Sequence, residues 1–297
     1  MNNRIEGDQV LMVTPFDNEL NIDYESTKKL IDFLINGGVQ GILSSGSTGE
    51  FFSMDNGERK QFMSFVVRYV NNRVPAGFCC GHSGTKIASE LAGHAERIGA
   101  SYILLPPPYY FNHDSDGIFN HISKVASSVE IPIMVYDGGG GIEISVDTLK
   151  KLKDKHDNIK YVKVSVRSPQ KVKKIIETFS GSLIPFCGDE SMCLLELSEG
   201  VGGFTLGAGN IQPNVTSKIF ELYKQGDLME SRKLFYEKLM PQVGICNIAW
   251  KEYIQCFKTV LYWKGIINSP IVRSPLLPLD NVREGELKKV MQHLEVI

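Results

Sequence analysis

Apolar and polar positions alternate between two periods over roughly the first 226 residues of the chain. Short apolar, β-branched runs of strand length take turns with longer segments whose apolar residues recur about every three to four positions, the period of an amphipathic helix. The pattern predicts eight strands and eight helices in strict alternation. The strands are predicted at 9–15, 41–46, 75–80, 101–106, 131–137, 159–165, 182–187 and 202–207, and the helices at 24–36, 56–71, 85–98, 116–127, 145–155, 169–179, 191–198 and 213–225.

Capping residues agree with these helix bounds. Ser145 and Ser168 stand where a side-chain oxygen can accept from the first free backbone N–H groups of a helix. Gly99 and Gly200 follow predicted helices, as glycines commonly do at a helix C-terminus.

Strands interleaved with helices pair in parallel through crossovers, and eight such units close a (β/α)8 TIM barrel. An open doubly wound sheet is the alternative, but the turn after its first strand should be rich in glycine, and the chain has Thr14-Pro15-Phe16-Asp17 there. Beyond about residue 226 only helices are predicted, at 228–243, 246–263 and 283–295. We therefore expect a catalytic α/β barrel over 1–226 and a C-terminal helical extension over 227–297.

Composition and charge exclude several classes of protein. With 297 residues, 42% of them hydrophobic and 22% charged, the chain is typical of a globular protein. Its net charge is −2, from 32 basic and 34 acidic residues, and no basic block is present, so neither nucleic acid nor an anionic membrane is an expected partner. No apolar run approaches the roughly 18–20 residues of a membrane helix, and the N-terminus lacks a signal-peptide core. We expect a cytoplasmic protein.

Six cysteines are present without a C-x-x-C pair or a histidine cluster. This spacing favours reduced thiols over a zinc site or a disulfide framework. Cys79 and Cys80 lie in a strand-like run and are expected in the core.

Lys163 is the most informative candidate for chemistry. It lies in the middle of the predicted strand at 159–165, where burial of an ammonium without a partner is costly and is often relieved by loss of the proton. A neutral amine is a nucleophile that can form a Schiff base with a ketone. The alternative is a solvated lysine at a strand edge or end.

Barrel active sites lie at the C-terminal ends of the strands, and hydroxyl groups collect at several of these positions. Ser47 and Thr48, between glycines after the second strand, can hold a carboxylate, although an ordinary Gly/Ser turn has the same composition. Tyr136 ends the fifth strand, where a tyrosine can relay protons or simply complete the core. Ser165 lies two residues beyond Lys163 and therefore on the same side of the strand.

The seventh strand ends in Gly188-Asp189-Glu190. The two acids are candidates for binding substrate hydroxyls or for acid–base catalysis. Acidic residues are also favoured at the start of a helix, which is the simpler explanation.

The chain resembles the dihydrodipicolinate synthase/N-acetylneuraminate lyase family over nearly its whole length. The shared segments are Val13-Thr14-Pro15-Phe16, Gly46-Ser47-Thr48-Gly49-Glu50, Tyr109-Tyr110 after a proline, Pro132-Ile133-Met134-Val135-Tyr136, Lys163, Gly188-Asp189-Glu190 and the run from Val272 to Leu279. The resemblance implies a barrel with a helical extension, a homotetramer built from dimers, and class I aldolase chemistry without a metal or another cofactor.

The resemblance also implies residue roles. Lys163 would form the Schiff base with pyruvate, and Tyr136 would shuttle protons. Ser47 and Thr48 would bind the pyruvate carboxylate. Ser47 would also link Tyr136 to Tyr110, which in relatives reaches across the dimer interface.

Departures from the family pattern concern the second substrate. Gly141 stands where dihydrodipicolinate synthases have an arginine for the aldehyde's carboxylate, whereas Ser165 matches a hydroxyl found in lyases and sugar-acid aldolases. Asp189 and Glu190, after Gly188, resemble the acidic pair that contacts hydroxyls in neuraminate lyase, with one intervening residue missing. Gly207 stands where that lyase has a hydroxyl, and Asp137 where relatives usually have asparagine.

We therefore predict a pyruvate-dependent carbon–carbon lyase for a 2-oxo-3-deoxy sugar acid or a sialic-acid-like compound. The alternative is 4-hydroxy-tetrahydrodipicolinate synthase, which condenses pyruvate with aspartate semialdehyde. A non-catalytic relative that binds an oxo acid is the alternative from another class.

Overall fold

Eight short strands pair side by side in chain order and close into a barrel in the computed structural model, which describes residues 4–247 and 252–297. The pairings run parallel, as crossover helices between consecutive strands require. The predicted (β/α)8 barrel is therefore confirmed, and the open-sheet alternative is wrong. The strands are β1 Gly7–Leu11, β2 Gly41–Ser44, β3 Ala76–Cys79, β4 Tyr102–Leu105, β5 Ile133–Asp137, β6 Ile159–Val164, β7 Ile184–Cys187 and β8 Gly203–Phe204.

One helix follows each strand, and the predicted helices agree with the structure to within two residues. Most strand residues are buried, as expected for parallel strands covered by helices on the outside of a barrel. The helices are α1 Tyr24–Asn36, α2 Asn56–Val70, α3 Thr85–Arg97, α4 Ser115–Ala126, α5 Val146–Lys155, α6 Pro169–Phe179, α7 Cys193–Glu199 and α8 Pro213–Gln225.

The first strand was predicted to end at residue 15, but in the structure β1 ends at Leu11. Past this point the backbone N–H of Val13 donates to Oδ1 of Asn210 at 3.1 Å instead of to a neighbouring strand. Pro15 has no N–H to donate, so it cannot extend the ladder.

Capping predictions are confirmed. Ser145 Oγ accepts from the N–H of Thr148 at 3.1 Å, and Ser168 Oγ accepts from that of Lys171 at 3.3 Å. Gly200, with a φ of 103°, ends α7 in the left-handed conformation that glycine adopts without strain.

The C-terminal region is helical, as predicted, but its helices are differently divided. The predicted helix 228–243 consists of two α-helices joined through a π-helical segment, and the last helix begins two residues earlier than predicted. Part of the predicted helix 246–263 falls on residues 248–251, which lie outside the described residues. The elements are α9 Leu228–Leu234, the π segment Phe235–Leu239, α10 Met240–Cys246, α11 Tyr253–Trp263 and α12 Asn281–His293.

The chain divides into two compact units. The first contains Asn56–Thr205 and the residues up to Glu6, and it carries β3 to β8. The second contains Gly7–Asp55 and Leu206–Ile297, with β1, β2 and the C-terminal helices. This division does not follow the predicted boundary at residue 226, where Gly226 ends α8. The assignment of 1–226 and 227–297 as domains stays a prediction.

All six cysteines are free and buried, in agreement with their spacing. Over residues 4–247 and 252–297, no helix has both the length and the apolar character that crossing a lipid bilayer would require.

Candidate active site

Lys163 lies on β6 with only 3% of its surface exposed, so the strand lysine is buried rather than solvated. Its strand register places it beside Tyr136 of β5 and Phe186 of β7. Nζ lies 4.3 Å from the centroid of the Tyr136 ring. Among residues 4–247 and 252–297 no carboxylate or carbonyl oxygen forms an ion pair or hydrogen bond with this amine, which lies against the ring of Tyr136.

Tyr136 and Ser165 lie near Lys163 because β5 and β6 are adjacent and end at the same edge of the barrel. The hydroxyl oxygens of these two residues lie 3.4 Å apart, and Ser165 Oγ lies 3.0 Å from the carbonyl oxygen of Gly188. The single proton of Ser165 can be donated to either oxygen, and the contact with the Gly188 carbonyl is the shorter of the two. The arrangement gives Tyr136 a partner that can support proton transfer.

Gly188 must be a glycine because its neighbours leave no room for a side chain. A Cβ atom there would lie 2.3 Å from Ser165 Oγ, 2.6 Å from Lys163 Cε and 2.9 Å from the carbonyl oxygen of Val164. The backbone N–H of Gly188 donates to that same carbonyl at 2.7 Å. The predicted strand-end glycine therefore packs directly against the lysine and serine of the site.

Asp137, next to Tyr136, is fully buried and has a structural role that the sequence left open. Its Oδ1 accepts from the N–H of Ile144 at 2.7 Å, and its Oδ2 lies 2.7 Å from Nζ of Lys171. Burial raises the pKa of Asp137, while the bond from Ile144 and the ammonium of Lys171 oppose that rise. These contacts span the ends of the glycine loop 138–141.

Asp189 takes the geometry of a helix cap. Its Oδ1 accepts from the backbone N–H of Ser191 at 2.9 Å and from the Ser191 hydroxyl at 2.5 Å, at the start of a 3-10 helix over Glu190–Met192. Its Oδ2 accepts from Nε of Arg167 at 2.8 Å. Burial raises the pKa of Asp189, but the bonds from Ser191 and Arg167 outweigh it and hold that pKa below its ordinary value. Hydroxyl binding by Asp189 and Glu190 stays a prediction.

Other predicted residues lie in the second unit. Ser47 is exposed, whereas Thr48 is buried with its hydroxyl oxygen 3.3 Å from that of Tyr253. Gly207 precedes a 3-10 helix over Ala208–Asn210, and its carbonyl accepts from the Asn210 side chain at 2.8 Å. Substrate contacts at these positions stay predictions.

Among the described residues, Tyr110 forms no hydrogen bond with Lys163 or Tyr136. Its side chain is 87% exposed, its φ is 89°, and its ring packs edge-on against Phe111 with centroids 4.7 Å apart. The predicted role of Tyr110 across a subunit interface stays a prediction.

Sequence reasoning missed Arg167, Lys171 and Glu196. Arg167 and Lys171 lie three and seven residues beyond the end of β6. A search limited to the last residues of each strand does not reach them. A survey of the complete turn between β6 and α6 would have included Arg167. Glu196 is 1% exposed on α7, where acidic residues are ordinary, so no sequence signal marks its burial.

The fold is that of the (β/α)8 barrel proteins, and this chain carries a buried lysine on one of the barrel strands. A family model described as the dihydrodipicolinate synthetase family matches residues 5–294, and the chain belongs to that family.

Among the similar proteins, 4-hydroxy-tetrahydrodipicolinate synthase of Methanopyrus kandleri is 32% identical over 80% of each chain. The enzyme of that name from Hydrogenobaculum sp. is 30% identical over 99% of this chain and 100% of its own. The solved dihydrodipicolinate synthase of Aquifex aeolicus matches with a TM-score of 0.94 and 28% identity over 98% of each chain. YagE, a prophage protein from E. coli K12 solved in complex with pyruvate, matches with a TM-score of 0.93 and 27% identity, over 98% of this chain and 99% of its own.

Proposed function

We propose that this protein is a class I lyase or aldolase in which Lys163 forms a Schiff base with pyruvate. The observation that carries the proposal is a buried amine that no acid of the described residues bonds, placed 4.3 Å from the ring centroid of a strand-end tyrosine. Family membership and the pyruvate-bound structure of YagE support it.

In the cleavage direction the neutral amine of Lys163 attacks the C2 ketone of a 2-oxo acid. The Tyr136 hydroxyl gives its proton to the hydroxyl that leaves as water, so an iminium and a Tyr136 phenolate are formed. The phenolate takes the proton of the C4 hydroxyl while the C3–C4 bond breaks. The electron pair of that bond moves into the iminium and forms the enamine of pyruvate, and an aldehyde leaves. Tyr136 then gives its proton to C3 of the enamine, which restores an iminium. Water hydrolyses this iminium to pyruvate and the free amine, and the proton released in that step returns to Tyr136.

A 2-oxo-3-deoxy sugar acid or a sialic-acid-like compound is our first candidate for the substrate. Ser165 places a hydroxyl beside Tyr136, and Gly141 contributes no charge. The φ values of Gly138, Gly140 and Gly141 are 93°, 65° and 81°, a left-handed backbone that other residues adopt only with strain. The loop 138–141 is therefore suited to glycine and poorly suited to an arginine.

The second candidate is 4-hydroxy-tetrahydrodipicolinate synthase, because the similar proteins carry that name. It requires another cation to hold the carboxylate of aspartate semialdehyde. A non-catalytic relative that binds an oxo acid is the third candidate, but binding alone does not explain an unpaired buried amine. Substitution of Lys163 by alanine would leave the biological role of such a binder unchanged.

Borohydride trapping tests the Schiff base directly. Reduction in the presence of pyruvate should add the mass of the reduced adduct to the peptide that contains Lys163. Lys160→Ala, which removes an exposed amine of the same strand, should leave the adduct unchanged, whereas Lys163→Ala should abolish it. Wild-type protein without an adduct would refute the proposal.

A substrate panel separates the candidate reactions. Release of pyruvate from 2-oxo-3-deoxy sugar acids supports the first candidate, and consumption of pyruvate only with aspartate semialdehyde supports the second. Activity retained after exhaustive treatment with a chelator is the expected result, since the proposed chemistry uses no metal or other cofactor.

We also propose the homotetramer that the resemblance implies. Light scattering that gives four times the 33.1 kDa mass of one chain would support it, and a monomer at assay concentrations would contradict it.

A further inference from the structure

Arg167 lies directly beside the proposed active site, on the turn that leaves β6. The chain runs from Lys163 through Ser165, whose hydroxyl contacts Tyr136, to Arg167 two residues later. Nε of Arg167 donates at 2.8 Å to Oδ2 of Asp189. Asp189 in turn follows Gly188, the residue that packs against Lys163 and Ser165. The guanidinium therefore links the C-terminal end of β6 to that of β7.

The terminal nitrogens of this guanidinium are unused. In the part of the chain that the structure describes, Nε is the only atom of Arg167 with a partner, and 72% of the side chain is exposed. An exposed ion pair of this kind contributes little to stability. A guanidinium matches a carboxylate through two parallel N–H donors, so the free end of Arg167 is a ready carboxylate-binding fork.

Asp189 holds Arg167 in place without using that fork. The carboxylate is itself fixed by the backbone and hydroxyl of Ser191, at 2.9 and 2.5 Å. Only its second oxygen contacts the arginine. The pair therefore orients the guanidinium and leaves its outer face available.

The neighbouring cation is already engaged. Nζ of Lys171 lies 2.7 Å from Asp137 and 3.4 Å from Glu143. The loop 138–141 consists of glycines and supplies no charged side chain. Of the basic side chains on this turn and the start of α6, Arg167 is thus the one with free donors at the strand ends.

We propose that Arg167 binds a carboxylate at the end of the substrate farthest from the ketone that reacts with Lys163. This inference rests on the proposed function and narrows it. Among sugar-acid-like substrates it selects those with a second, terminal carboxylate over those that end in a neutral hydroxymethyl group. It also provides the cation that condensation with aspartate semialdehyde requires.

Paired 2-oxo acids of equal length test the assignment. The adduct with Lys163 is trapped by borohydride at increasing concentrations of 2-oxoadipate or 2-oxohexanoate, which differ in the terminal carboxylate, and likewise of 2-oxopimelate or 2-oxoheptanoate. For at least one pair, wild-type protein should reach half-maximal trapping at about a tenfold to hundredfold lower concentration of the dicarboxylate, the range expected for a charge-assisted contact. Raising the salt concentration should reduce the preference, because the guanidinium is exposed.

Arg167→Gln should abolish that preference and leave trapping of pyruvate unchanged. The matched control is Lys150→Gln, which removes an equal charge from an exposed pair with Asp154 on α5 and should change neither. Equal or absent trapping of both dicarboxylates by wild-type protein would overturn the inference. So would a preference that survives in Arg167→Gln, or an equal loss of pyruvate trapping in that variant. Failure of wild-type protein to trap pyruvate at all would instead overturn the proposed function.

Discussion

Among the residues that the structure describes, two lysines are buried, one in each compact unit, and their surroundings are opposite. Lys258 on α11 forms an ion pair with Glu50, donates to the carbonyl of Ile271 at 2.8 Å and lies over the Phe16 ring. Lys163 on β6 has the ring of Tyr136 and no bonded acceptor among the described residues. Burial alone therefore does not identify a lysine suited to catalysis. Lys258 differs from Lys163 in that an acidic side chain is bonded to its amine.

The pair around Lys258 has a structural role. Burial lowers the pKa of Lys258 to about 8, while the neighbouring carboxylate of Glu50 opposes the shift. Glu50 also accepts from the N–H of Arg273 at 2.9 Å, so one carboxylate connects α11 with the segment that follows it. An amine bound in this way has no freedom to attack a ketone.

The largest expected effect is loss of chemistry at Lys163. Lys163→Met keeps the length of the side chain but removes the nucleophile, so pyruvate adducts and turnover should fall below detection. Stability should be unchanged or higher, because no buried partner loses its counter-charge. Trapping and thermal unfolding measured on the same sample check both parts. A marked fall in melting temperature would show that Lys163 is structural and would remove the contrast with Lys258.

Lys258→Met should have the opposite effect, a loss of stability. The carboxylate of Glu50 is left buried without its partner, which costs about 3–5 kcal/mol of unfolding free energy. Urea unfolding measures this loss. The double variant Lys258→Met with Glu50→Gln should recover part of it, since the remaining group is neutral. No recovery would mean that the ion pair is not the source of the cost.

Gly188→Ala tests the packing around Lys163. The added Cβ would lie 2.3 Å from Ser165 Oγ and 2.9 Å from a backbone oxygen, so the strand end must shift, at about 1–3 kcal/mol. Pyruvate trapping should slow. Gly285→Ala in α12, where a Cβ meets nothing within 4 Å, is the control and should be neutral or stabilising. Equal results for the two variants would contradict the packing argument.

The smallest expected effect concerns Glu196, a buried carboxyl group on α7 that forms no ion pair within residues 4–247 and 252–297. Burial raises its pKa from 4.5 to about 7, and the Cys187 thiol opposes the rise. Between these pH values the folded protein binds more protons than the unfolded chain, so stability should fall as pH rises from about 4.5 to 7.

Glu196→Gln should flatten this part of the stability curve and raise stability at pH 8 by about 1–2 kcal/mol. Urea unfolding of both proteins from pH 4 to pH 8 provides the measurement. A parallel decline in wild type and variant would assign the pH dependence to other groups.

Local sequence patterns predicted most of the fold. The alternation of strand and helix periods led to the barrel, and the helix bounds were correct to within two residues because caps such as Ser145 and Ser168 act over three or four positions. The end of β1 was misplaced because a distant side chain, that of Asn210, takes the next backbone donor. The helices after residue 226 lack interleaved strands, and their division was therefore less well predicted.

The sequence alone determined the family, the barrel and the position of Lys163 on a strand beside that of Tyr136, because periodicity and motif spacing are local properties of the chain. The tertiary structure alone decided which charged groups are paired. Lys258 and Glu50 are far apart in the chain, as are Arg167 and Asp189, and no local pattern joins them. A pair forms only where strand order and turns bring the partners together. Among the described residues this leaves Lys163 without an acidic partner and Arg167 bonded through Nε alone.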